Sequence, residues 1–137
     1  YSLAEKNTAL SNSLLDAFLN TMLANSNTIN KHVEKMVQSI VTNISNPQYK
    51  ISEAYKDIPM SIDHLRRLFI ANTGMTPTMY LLDKRIRQAQ KLLMASNHPS
   101  IKQISTLCGF TDQYYFSRAF KKHTGLSPIK YSKCKPR

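Results

Sequence analysis

Apolar residues recur at every third or fourth position through most of this chain. They nowhere alternate over the length of a strand, so the pattern predicts helices throughout. Leu10, Leu14, Phe18 and Met22, with Leu15 and Leu19 beside them, outline a first amphipathic helix that Asn25-Ser26-Asn27 breaks. Thr28 caps a second helix, whose apolar face holds Ile29, Val33, Met36, Val37, Ile40, Val41 and Ile44 and which Ser45-Asn46-Pro47 stops. Ile51 to Asp57 reads as a short helix. Pro59 lacks an N–H and pushes Ile58 out of the helical region, so Ile58-Pro59-Met60 is a tight connection. Ser61 caps a longer helix to about Asn72, with Thr73-Gly74 as its stop.

Thr76 and Pro77 open the longest helix, 20 residues to Ser96, with Tyr80, Leu81, Ile86, Ala89, Leu92 and Leu93 on its inner side. Lys84, Arg85, Arg87 and Lys91 are expected to stay solvated. Asn97-His98-Pro99 ends it, and Ser100 caps a short helix from Ile101 to Cys108. Gly109-Phe110 is a second turn, Thr111 or Asp112 caps a helix to about His123, and Thr124-Gly125 stops that one. Ser127-Pro128 opens a last short helix with Tyr131 at its base, and Lys133–Arg137 is expected to fray.

Two stretches repeat at an offset of 51. Leu65 falls on Phe116, Arg67 on Arg118, Phe69 on Phe120 and Thr73-Gly74 on Thr124-Gly125. Met75 falls on Leu126, Thr76-Pro77 on Ser127-Pro128 and Tyr80 on Tyr131. Short helix, turn and longer capped helix make a helix-turn-helix. The chain therefore carries two such units, at about 51–72 and 101–123, joined by the helix 77–96. A rod of 20 residues is roughly 30 Å long. Major grooves recur on one face of B-DNA about every 34 Å, so the spacer suits two units in successive grooves.

Charge sharpens this picture. Residues 1–46 are balanced, whereas residues 47–137 hold 16 Lys/Arg against five Asp/Glu and carry the whole net charge of +11. A neutral segment followed by a strongly basic one points to a polyanion as partner of the second part. No apolar run is long enough to span a membrane, and the start has no signal-peptide pattern. The absence of an initiating Met makes a fragment of a longer protein the expectation, with 1–27 a linker helix from an upstream domain or a dimerising helix. Cys108 is expected buried and Cys134 exposed, in a reduced cytoplasmic chain. The four His residues are scattered without metal spacing, and no phosphate loop or catalytic set stands out. Neither a cofactor nor an enzymatic role is expected.

Leu65, Leu68 and Phe69 are spaced to face inward, which leaves Ile62, Asp63, Arg66 and Arg67 outside. Arg66, Arg67 and Arg118 can each offer two donors to a guanine edge, and Gln113 can pair with adenine. Tyr114 and Tyr115 can touch a thymine methyl or donate to a phosphate. Lys121 and Lys122 sit where phosphates would pass, and the helix N-termini at Ser61 and Thr111 offer N–H groups to phosphate. Arg67 and Arg118 could instead form ion pairs within the domain, and Tyr115 could be partly core.

The run Gly109 to Pro128, GFTDQYYFSRAFKKHTGLSP, closely resembles the signature of the AraC/XylS family of bacterial transcription regulators. The likeness extends over about residues 30–133 and takes in Ser61, Leu65, Leu68-Phe69 and Gly74 of the first unit. It implies an all-α, seven-helix domain with two helix-turn-helix units that binds double-stranded DNA, spanning residues 28–137. Such a domain regulates promoters, usually as an activator touching RNA polymerase. The family's base-reading positions carry over to Asp63, Arg66 and Arg67, and to Gln113, Tyr114, Tyr115 and Arg118. Three departures stand out: Tyr55 and Ser105 where a small residue, usually Ala, is expected, and Pro59 in place of the usual turn Gly. The rival reading is a helical protein-interaction or dimerisation module, with 1–27 as its working part and the basic surface only solubilising.

Overall fold

Small polar side chains start the helices of this protein. In the computed structural model Ser61, Thr76, Ser100 and Ser127 each accept a hydrogen bond from the backbone N–H three residues on, at His64, Met79, Gln103 and Lys130. Each bond satisfies a donor that the first turn would leave unpaired. The structure describes residues 31–134. The helix expected over 1–27, the Thr28 cap and Ile29 lie outside them, as do residues 135–137.

The described chain is all helical. Helix α1 covers 31–42, and a 3-10 helix covers Ile51–Tyr55. Then come α2 (Ile62–Thr73), α3 (Pro77–Met94), α4 (Ile101–Leu107), α5 (Gln113–Thr124) and α6 (Pro128–Lys133). Helix α3 has 18 residues, not 20, because Ala95 already has an extended backbone. That is about 27 Å of helix.

Two cores form, one around each unit. Val33, Met36 and Ile40 of α1 meet Tyr49, Ala54, Ile58, Leu65, Phe69 and Leu81. The second core joins Ile86, Ala89 and Leu93 of α3 to Ile104, Cys108, Phe110, Phe116 and Phe120. Val41, expected inward, is 47% exposed, because it lies one position past Ile40 and α1 ends at the next residue.

The repeat holds down to single hydrogen bonds. Phe69 and Phe120 are fully buried, and each meets a tyrosine ring edge-on at 5.2 Å, Tyr80 and Tyr131 respectively. The Thr73 hydroxyl donates to the Phe69 carbonyl and accepts from Met75 N–H, and Thr124 repeats this with Phe120 and Leu126. Gly74 and Gly125 end their helices at φ +78° and +88°, the left-handed conformation that residues with a Cβ resist.

The turns are where the copies differ. Ala54 and Ser105 are the small buried residues of the first elements, each seven positions before the cap of the next helix. Ala54 thus fills the place assigned to Tyr55, which packs against the edge of the core instead. The first element is a tight 3-10 turn, so it reaches its left-handed residue one position early, at Asp57 with φ +64° rather than at the counterpart of Gly109 with φ +81°. Pro59 is the extra residue that restores the count, and Met60 N–H closes over it onto the Ile58 carbonyl at 2.8 Å.

Candidate nucleic-acid interface

Helices α2 and α5 bury one stripe each and leave the opposite face bare. On α2 only Leu65 and Phe69 are fully inside. Ser61, Ile62, Asp63, Arg66 and Arg67 are all exposed. On α5 the buried pair is Phe116 and Phe120. Thr111, Tyr114, Tyr115, Arg118, Lys121 and Lys122 are exposed, and Gln113 is half-buried. The sequence-predicted residues therefore gather on two matching helix faces.

Their local partners are few. Asp63 Oδ1 lies 3.9 Å from Arg66 Nη1, a long exposed pair of little strength. Arg67, Arg118, Lys121 and Lys122 form no ion pair among the described residues, so internal pairing does not occupy them. Tyr114 is 70% and Tyr115 50% exposed. Tyr115 is thus half-covered, its ring centroid 6.0 Å from that of the buried Phe110 and tilted by 52°.

At the second unit the structure chooses between the two candidate caps. Asp112, not Thr111, caps α5, its Oδ1 accepting from Tyr114 N–H at 2.9 Å. A carboxylate suits a helix N-terminus, but it would oppose a phosphate there. Thr111 stays exposed outside the helix. Ser61 gives α2 a neutral cap, so the first unit keeps the more anion-friendly start.

One supporting contact was not visible in the sequence pattern. Asp83 of α3, only 6% exposed, accepts from His123 Nε2 and from Arg87 Nε, both at 2.9 Å. This ties the last turn of α5 to the rod. Burial alone would raise the Asp83 carboxyl, but the bonds from His123 and Arg87 outweigh it and hold it below the ordinary carboxylate value. A charged residue at i, i+3 from Ile86 was the available signal. Arg85, expected solvated, is half-buried and donates to backbone carbonyls; its spacing of four from both Leu81 and Ala89 put it on the inner side. Burial also lifts the Cys108 thiol to about 11, so it packs as a neutral group. No metal-binding cluster occurs among the described residues.

Comparison with known proteins bears on this geometry. A family model described as a helix-turn-helix domain matches residues 56–133. The HTH-type transcriptional activator RhaR of Cronobacter sakazakii is 41% identical over 83 residues, 53% of this chain and 29% of that protein. The arabinose operon regulatory protein of Escherichia coli is 32% identical over 103 residues, 75% of this chain and 35% of that protein. The DNA-binding domain of AdpA, solved in complex with a target DNA, superposes with a TM-score of 0.66 at 25% identity, over 74% of this chain and 89% of that one. The chain spans only 27% to 43% of the length of the first curated relatives it matches. No helix among the described residues is long and apolar enough to cross a membrane. The family match and these likenesses agree with the two exposed, cationic helix faces: the chain belongs to the AraC-type helix-turn-helix family of sequence-specific DNA-binding transcription regulators.

Proposed function

We propose that α2 and α5 enter successive major grooves of one duplex. Asp63, Arg66 and Arg67 read bases in one box, and Gln113, Tyr114, Tyr115 and Arg118 read them in the other. Lys121 and Lys122 contact phosphate, and the Ser61 end of α2 offers its N–H groups to the backbone. Ile62 and Thr111 flank the two reading faces. The observation that carries this reading is the matched pair Arg67 and Arg118, repeat-equivalent, exposed and outside every internal ion pair among the described residues. An arginine held out in this way keeps both donors for a guanine edge.

The whole protein of which this is the DNA-binding part works as an activator, touching RNA polymerase from the promoter, in the bacterial cytoplasm. Residues 1–27 belong to the connection with its upstream part or pair two copies. The name of the RhaR relative supports the activator role.

Fluorescence anisotropy tests the interface. Binding to a random duplex should weaken steeply between two salt concentrations, because displaced counterions drive it. A duplex selected from a random pool should bind tighter at both. Salt-independent binding, or none, would favour the protein-interaction reading instead.

A further inference from the structure

One continuous helix joins the two units, since α3 gives Leu81 to the first core and Ile86 to the second. A single helix resists bending but has little leverage against twisting of what hangs from its ends. A second tie lies off the helix axis. Arg85 Nε donates to the Ile44 carbonyl and Nη2 to the Asn46 carbonyl, both at 2.9 Å. Ile44 and Asn46 lie in the loop after α1, on the side of the first unit. The same guanidinium lies 6.0 Å from the Phe110 ring centroid, in the turn of the second unit. Gly109 completes the junction: a Cβ there would overlap the Ile44 carbonyl oxygen and come within 2.8 Å of Arg85 Nε. The loop after α1 and the second turn are thus in direct backbone contact, with a planar, rigid fork of donors closing the gap.

We infer that Arg85 is a positioning residue for DNA recognition: its junction fixes how α5 is turned relative to α2, and so sets the number of base pairs between the two boxes. This rests on the reading that both helices enter the duplex. Arg85 itself touches no base. It acts by making two weak binding events occur at one geometry, where linkage is most effective.

The test is a selection from a random-duplex pool long enough for two helical turns, sequenced after binding to wild type, Arg85→Gln and Arg85→Lys. Wild type should return two boxes at one spacing. Arg85→Gln should return the same boxes over a spread of spacings. It should also bind the wild-type two-box duplex roughly tenfold more weakly, with single-box affinity unchanged. Arg85→Lys, with a point charge and no fork, should fall between them. An Arg85→Gln spacing distribution as sharp as wild type overturns the inference. A single box from the wild type would instead sink the two-groove reading. Should the Gln variant fail to fold, residual dipolar couplings of the free wild-type protein decide: one alignment tensor for both units supports the junction, and two tensors of different magnitude overturn it.

Discussion

Replacing Gly109 by Ala separates the cost of a backbone conformation from the cost of a contact. Three glycines have nearly the same left-handed backbone, at φ +78°, +81° and +88°. Around Gly74 and Gly125 a Cβ would meet nothing within 4 Å. Alanine at either should therefore cost only the left-handed strain, about 1–2 kcal/mol. At Gly109 the same strain applies, and the Cβ would also run into the Ile44 carbonyl oxygen and the Arg85 side chain. The arginine could swing away, but the carbonyl is backbone and accepts Arg85 Nε, so relief requires the two units to part. Overpacking of this kind adds about 1–3 kcal/mol. Gly109→Ala should thus lose about 2–5 kcal/mol in all, the sum of the strain and overpacking terms. Urea unfolding of the three variants measures this directly. Equal losses at all three positions would refute the claim that the two units meet at Gly109. A Gly125→Ala loss larger than that of Gly109→Ala would refute the strain argument as well.

Three further outcomes follow from the interface and its support. Arg118→Ala should lose about 1–3 kcal/mol on a selected duplex and relax the preference at one base pair; equal discrimination between selected and scrambled duplexes before and after the change would remove its base-reading role. Lys122→Ala should weaken binding to every sequence and lower the slope of log affinity against log salt by about one, read from a salt titration. Asp83→Asn should cost about 1.5–2 kcal/mol in urea unfolding at about pH 7, the lower part of the range for bonds to a charged group, because the Arg87 side chain is 64% exposed. The Asp83 carboxyl is lowered in the folded state, so its contribution is complete above the unfolded carboxylate value. It fades as pH falls through the folded one, and the gap between wild type and variant should close below about pH 4.

What was legible in the sequence was what repeats. Caps, stops and the paired aromatics follow from local rules that act the same way twice, so an offset of 51 exposes them. The turn before α2 was legible as a tight connection at Ile58-Pro59-Met60, but its geometry was not. Nothing local says that Ile51–Tyr55 winds as a 3-10 helix rather than an α-helix, and that choice moves the left-handed residue to Asp57. Arg85 of α3 was misassigned for a different reason. Arg85 was expected in solvent because burial of a charge is costly, and Asp83 of the same helix is buried as well. Here the cost is met by partners about 40 positions away, His123 for Asp83 and the 44–46 loop for Arg85. The outward residues were legible, since exposure on a helix follows from where its two buried aromatics or leucines lie. The capping of α5 by Asp112 rather than Thr111 was a choice between two good caps.

On the proposed two-groove reading, the repeat gives the two units different work. Ile62, Asp63, Ile70 and Ala71 of α2 stand at the positions of Gln113, Tyr114, Lys121 and Lys122 of α5. The α2 face thus sets Arg66 and Arg67 against Asp63, while α5 carries Arg118, Lys121 and Lys122 with no acid within the helix. Attraction to phosphate does not depend on sequence and acts at long range, so it falls mainly on α5. On the two-groove reading, α2 adds little non-specific grip beyond the N–H groups of its Ser61 end, and the rest of what it contributes comes from base contacts made once α5 has docked. A second box read this way can only be used if it is presented at a fixed distance and angle. On that reading, weak non-specific affinity in the first unit and the proposed junction at Arg85 belong to one arrangement, in which the second unit holds the duplex and the first tests it.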